Sequence, residues 1–280
     1  MTEAIKTLTL INLIFVILLG VASSIGGALG EMMYSYVAFI IPILIGYYAS
    51  LRFKAKREAE AGVAEKYTNL FTLSGDGLKK LLPLIVPAVT VVFSVSLLTS
   101  LLLTAFGASS QTVADRNIFV MLLDHALSPA IFEEMLFRYL PLILIAPYSK
   151  RACILYSSFC FALIHCSFWQ MPYAFVAGVI FMTVDISLDS IWPSVILHFI
   201  NNAVSVAMMK YVQTSRATLI FAVAMLGCAL LASVFIYRKR REYRKMLVCA
   251  FERGGRGEFT YATVMLTIVC GYLATVNLFS

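Results

Sequence analysis

The chain alternates between long apolar runs and short polar breaks. Apolar spans fall at 8–29, 33–51, 82–106, 118–146, 152–169, 171–189, 191–210, 217–237 and 258–279. Each is close to the ~20 residues that carry an α-helix across a bilayer. No ~10-residue segments of alternating polarity, the mark of a membrane barrel, occur. The pattern predicts an all-α protein: a polytopic membrane helical bundle of about eight or nine transmembrane helices, with 1–280 as a single membrane domain. Two polar stretches interrupt it, 52–80 and 238–257, the first expected to be partly helical. The first span ends near Ala28-Leu29-Gly30, which resembles a small-residue cleavage site, but its apolar run is long for a signal peptide and reads as a membrane helix.

Composition agrees with the pattern. Hydrophobic residues make up 61% of the chain and charged residues 13%, against about 25% charged in an ordinary soluble domain. Cysteines 153, 160, 166, 228, 249 and 270 form no CxxC pair and mostly sit in apolar runs, where cysteine behaves as a small hydrophobe.

The formal net charge is +7. The basic residues cluster beside apolar spans, which indicates membrane topology and attraction to anionic lipid rather than nucleic-acid binding. Lys6, the 52–80 loop, Lys150-Arg151 and the 238–257 loop together hold 18 of the 22 Lys and Arg residues and would share one side. The positive-inside rule then makes the N-terminus and both large loops cytoplasmic. With its short loops, the chain reads as an integral protein of a bacterial cytoplasmic membrane.

Against this background the polar residues inside the spans stand out. Residues 131–141 read IFEEMLFRYLP. A carboxylate at bilayer depth costs at least ~2.5 kcal/mol. Glu134 and Arg138 are spaced i, i+4 and can pair along one helix face, whereas Glu133 points about 100° away and needs another partner. A helix-packing ion pair alone would account for Glu134 and Arg138. Two further spans carry histidines, in FALIHCSF (His165) and SVILHFINNAVS (His198, with Asn201 and Asn202). His198 and Asn202 share a helix face and can both donate toward one point, while Glu133 with His165 can take a proton from water. A base, a water and convergent donors are the minimum for amide hydrolysis. The third histidine, His125 beside Asp124, is expected to be structural. Asp185 and Asp189 are expected at a helix end, capping the next helix or lining an entrance.

In order, Glu133-Glu134-Met135-Leu136-Phe137-Arg138, then Phe161-Ala162-Leu163-Ile164-His165, then His198-Phe199-Ile200-Asn201-Asn202 resemble the three motifs of the CPBP family. That family comprises type II CAAX prenyl endopeptidases and Abi bacteriocin-processing and immunity proteins, and the family-like core spans about 118–205. The resemblance implies a membrane-embedded endopeptidase acting on a membrane-associated peptide or protein. It implies that Glu133 and His165 activate water, that His198 and Asn202 hold the oxyanion, and that Glu134 and Arg138 support them. It implies no required cofactor, although Glu133, His165 and His198 could instead hold zinc with a water as fourth ligand. Many relatives carry glycine where this chain has Tyr139, a bulkier neighbour for the site. A simple serpentine also leaves a depth problem, since it puts His165 near the outer end of its span and His198 nearer the inner end.

Two other functions fit an apolar bundle with buried polar groups: a non-catalytic scaffold or immunity protein, and a proton-coupled transporter. The absence of a visible repeat weighs against the transporter. The chain has no HExxH and no rhomboid-type Gly-x-Ser-Gly, and the SGDG at 74–77 is not an intramembrane aspartyl motif.

Overall fold

A computed structural model describes residues 1–25, 27–61, 69–106, 117–212 and 215–250; the expected span at 258–279 lies outside them. The described residues are helical with short connections and contain no strand. The helices are α1 (Thr2–Ile25), α2 (Gly27–Met32), α3 (Ala38–Ala61), α4 (Gly75–Ala105), α5 (Ile118–Leu122), α6 (Ser128–Glu134), α7 (Leu140–Leu144), α8 (Lys150–Leu163), α9 (Met171–Leu188), α10 (Trp192–Tyr211), α11 (Ser215–Arg238) and α12 (Arg240–Ala250). Among the described residues five segments are long and apolar enough to cross a membrane: Thr2–Ile25, Ala38–Glu58, Gly75–Leu103, Met171–Leu188 and Leu219–Arg238. Their outward faces carry Leu and Ile in number, as a lipid-facing surface requires.

The expected span at 118–146 is one helical column interrupted twice. Leu123–Leu127 and Met135–Tyr139 are π-turns, in which Ser128 N bonds Leu123 O and Leu140 N bonds Met135 O. A proline follows two residues after each turn. Pro129 and Pro141 have no N–H, and their rings crowd the carbonyls four residues back. The column widens instead of breaking. The carbonyl displaced by Pro141 belongs to Phe137, and the buried Ser157 hydroxyl of α8 donates to it. Breaker residues thus become a link between neighbouring helices.

Helix α8 begins at Ser149, whose side chain accepts from Ala152 N at 3.2 Å. It has only 14 residues, about 21 Å at 1.5 Å per residue. The expected span 152–169 is therefore too long, and His165 lies past the helix end. Helices α8 and α9 pack closely because Gly178 faces Ser158; a Cβ there would lie 2.8 Å from Ser158 Cα. Helix α1 is held by its buried face, Ala4, Ile5, Leu8, Ile11 and Phe15. A polar contact adds to it, Thr9 Oγ1 lying 2.9 Å from Tyr156 OH.

The 52–80 stretch is helical at its start, since α3 runs to Ala61, and the described residues at its end dock onto the α9–α10 junction. Ile191 N bonds Leu70 O at 3.0 Å, and the Trp192 indole donates to Phe71 O at 2.7 Å. Tyr139 packs on the Phe71 ring, with centroids 5.1 Å apart.

Candidate active site

The π-turn at Met135–Tyr139 starts immediately after the two glutamates, and α6, α8 and α10 converge there. Glu134 and Arg138 are fully buried, with Oε2 3.2 Å from the guanidinium Nε. Arg138 also lies over the Phe161 ring, 4.2 Å from its centroid. An aromatic face offers a cation attraction without a second full charge. The other oxygen of Glu134 lies 2.7 Å from His198 Nδ1. A carboxylate paired with arginine only accepts, so Nδ1 carries the proton and donates. This turns His198 Nε2 toward Glu133, whose Oε2 is 3.9 Å away. Glu133 Oε2 is buried and takes no hydrogen bond from any described residue.

His165 is fixed differently. At the end of α8 the Phe161 carbonyl loses its helical partner, because His165 N bonds Ala162 O instead. The His165 ring takes that place, with Nδ1 2.7 Å from Phe161 O. A carbonyl cannot donate, so Nδ1 is again protonated and Nε2 keeps its lone pair. The shortness of α8 and this fold-back resolve the depth problem. His165 and His198 both stand nearly perpendicular to Phe161, with ring centroids at 4.9 and 5.7 Å.

On α10, Asn201 Nδ2 donates to Asn202 Oδ1 at 3.3 Å. The Asn202 oxygen is occupied, which leaves its amide hydrogens as donors. Glu133, His165, His198, Asn201 and Asn202 all line one cavity of about 430 Å³. Its other walls are largely apolar and include Phe15, Phe39, Phe161 and Phe181.

Asp185 and Asp189 lie at the end of α9, as expected, while the surroundings of His125 and Tyr139 differ from those expected. His125, expected to be structural, lines this cavity together with Asp124; both follow from the π-turn at Leu123–Leu127. Tyr139 does not crowd the site, because its ring turns to Phe71. Asp185 is fully buried and caps α10, accepting from Ser194 N at 2.9 Å. Asp189 ends α9 in a left-handed conformation, φ 47°. Among the described residues no three His, Cys, Asp or Glu side chains gather as a metal site; His165 and His198 each engage Nδ1 and leave Nε2 open, as a zinc-ligating histidine also does.

Fold and site together define a helical membrane protein with a buried Glu, His and Asn constellation at the wall of a cavity. Residues 115–204 match the family model described as Type II CAAX prenyl endopeptidase Rce1-like, which supports the CPBP/CAAX protease family. The matched segment contains all three motifs. No curated protein and no solved structure matches the chain.

Proposed function

We propose that the protein is an intramembrane endopeptidase that hydrolyses a peptide bond of a membrane-associated peptide or protein. The observation that carries this reading is Glu133, whose Oε2 has no hydrogen-bond partner among the described residues and which lines one cavity with His165, His198 and Asn202. Glu133 takes a proton from water, with the His165 Nε2 lone pair as second acceptor. The resulting hydroxide attacks the scissile carbonyl. His198 Nε2–H and the Asn202 amide stabilise the oxyanion, and Glu133 returns the proton to the leaving amine.

These roles require an Nε2–H on His198 besides the Nδ1–H donated to Glu134, so in this reading the ring is an imidazolium that, with Arg138, faces Glu133 and Glu134. The 3.9 Å between Glu133 and His198 is beyond a direct hydrogen bond and leaves a place for a bridging oxygen. The apolar walls suit an aliphatic or lipid-modified segment beside the cut bond.

The purified protein, presented with prenylated CAAX peptides and bacterial leader-type peptides, tests this with and without a chelator. Cleavage that survives chelation and disappears in Glu133→Gln is the expected result. Chelator-sensitive cleavage would move the chemistry to a metal. A Glu133→Gln variant that fully complements a deletion phenotype would favour the scaffold reading, and proton-dependent flux would favour the transporter.

A further inference from the structure

The two ends of the bundle differ in charge, and the cavity lies nearer one of them. Four contacts define the first end. The Arg57 guanidinium donates to Ile143 O at 3.1 Å, joining the C-terminal ends of α3 and α7. Leu70 and Phe71, just before α4, bond to Ile191 and Trp192 between α9 and α10. Residues 145–149 lead directly into α8, and α12 packs on α8 and α9. This end therefore carries Arg52, Lys79, Lys80, Lys150, Arg151 and the six cations from Arg238 to Lys245. The other end holds the α8–α9 connection, the C-termini of α4 and α10 and the N-termini of α5 and α11.

The cavity floor lies part-way up from the basic end. His198 is six residues into α10 and Phe181 seven from the end of α9, about 10 Å in each case. Below it the bundle is sealed by Glu134, Arg138, Phe137 and Leu197, none more than 1% exposed. The upper wall is built from the opposite end: Phe39 in the first turn of α3, Gln170 before α9 and Met209 in the last turns of α10. Asp124, His125 and Gln170 are exposed at this rim.

We infer that the cavity opens to the non-cytoplasmic side, so that the bond it cuts belongs to a segment already translocated across the membrane and not to a cytoplasmic peptide tail. The substrate class rests on the peptidase reading. The sidedness rests on geometry and on the rule that the basic end of a membrane bundle stays cytoplasmic. A substrate arriving from the basic end would meet the sealed floor.

Cysteine labelling in spheroplasts decides the point. In a background lacking the six native cysteines, Gln170→Cys and Asp124→Cys report the rim, and Lys79→Cys and Arg240→Cys report the basic end. A membrane-impermeant maleimide should label the rim positions in intact spheroplasts and the basic-end positions only after permeabilisation. The reverse pattern would overturn the inference. Should the cysteine-free background fail to accumulate, an epitope inserted after Val212, the C-cap of α10, in the otherwise native chain reads the same side. Antibody binding to intact spheroplasts supports the inference, and binding only after permeabilisation overturns it. Labelling needs no catalysis, so a failure of the peptidase reading would leave this result standing.

Discussion

Glu134 and His198 lie 64 residues apart in sequence and share a 2.7 Å contact inside the bundle. Glu134 also holds Arg138, so one carboxylate fixes a cation on its own helix and an imidazole on another. Removing it leaves a buried arginine without a counter-charge. Breaking such a pair from one side costs about 3–5 kcal/mol. Glu134→Ala is expected to lower the melting temperature sharply in detergent. Pairing it with Arg138→Met should recover much of that loss, because the orphaned charge is gone.

Glu133 has a different role, and its replacement should separate activity from stability. Its side chain is 15% exposed at the cavity and has no arginine partner. Glu133→Gln keeps size and removes the base. Proteolysis should fall about 10²–10⁴-fold, with the melting temperature essentially unchanged. A matched thermal melt and cleavage assay checks both halves.

Asn202 and Asn201 should differ in kind. Asn202→Ala removes a proposed oxyanion donor, and kcat should drop about 10²–10³-fold with KM little changed. Asn201→Ala removes the group that occupies the Asn202 oxygen and trims one wall of the cavity. A smaller fall in kcat is expected there, since the Asn202 amide can then present either face. Steady-state kinetics on one peptide distinguishes the two.

Gly178 reports on the packing that brings Phe161 and His165 to the site. A methyl group there would meet backbone, Ser158 Cα at 2.8 Å, which cannot swing aside. Gly178→Ala should therefore destabilise by about 1–3 kcal/mol. Gly20 is the control: a Cβ at that position would meet nothing within 4 Å, and Gly20→Ala should melt like the wild type.

Much of the site is legible in the sequence because burying charge in an apolar run is costly enough to mark a residue by itself. Glu133, Glu134, Arg138, His165, His198 and Asn202 all emerge from that cost and from motif order. The all-α class follows from span length. What stays hidden depends on contacts between helices. The Glu134–His198 contact joins α6 to α10 and leaves no local trace. The Asn201–Asn202 bond depends on rotamers, not spacing. The π-turns have a visible cause in Pro129 and Pro141, but proline alone predicts a break as readily as a widened turn. Without the widened turn, nothing in the sequence brings His125 and Asp124 to the cavity. The end of α8 is also hidden, because Ile164, Cys166, Phe168 and Trp169 keep apolar residues coming past Leu163 and periodicity cannot show that the chain has left the helix.

The role of Glu133 in cutting a peptide bond can be tested without knowing the substrate. Cells lacking the endogenous protein would express the wild type or Glu133→Gln at matched levels, and the termini of their membrane-associated proteins and peptides would be sequenced by mass spectrometry. New termini should occur with the wild type and vanish with Glu133→Gln. Identical termini in both cell lines would contradict a catalytic Glu133.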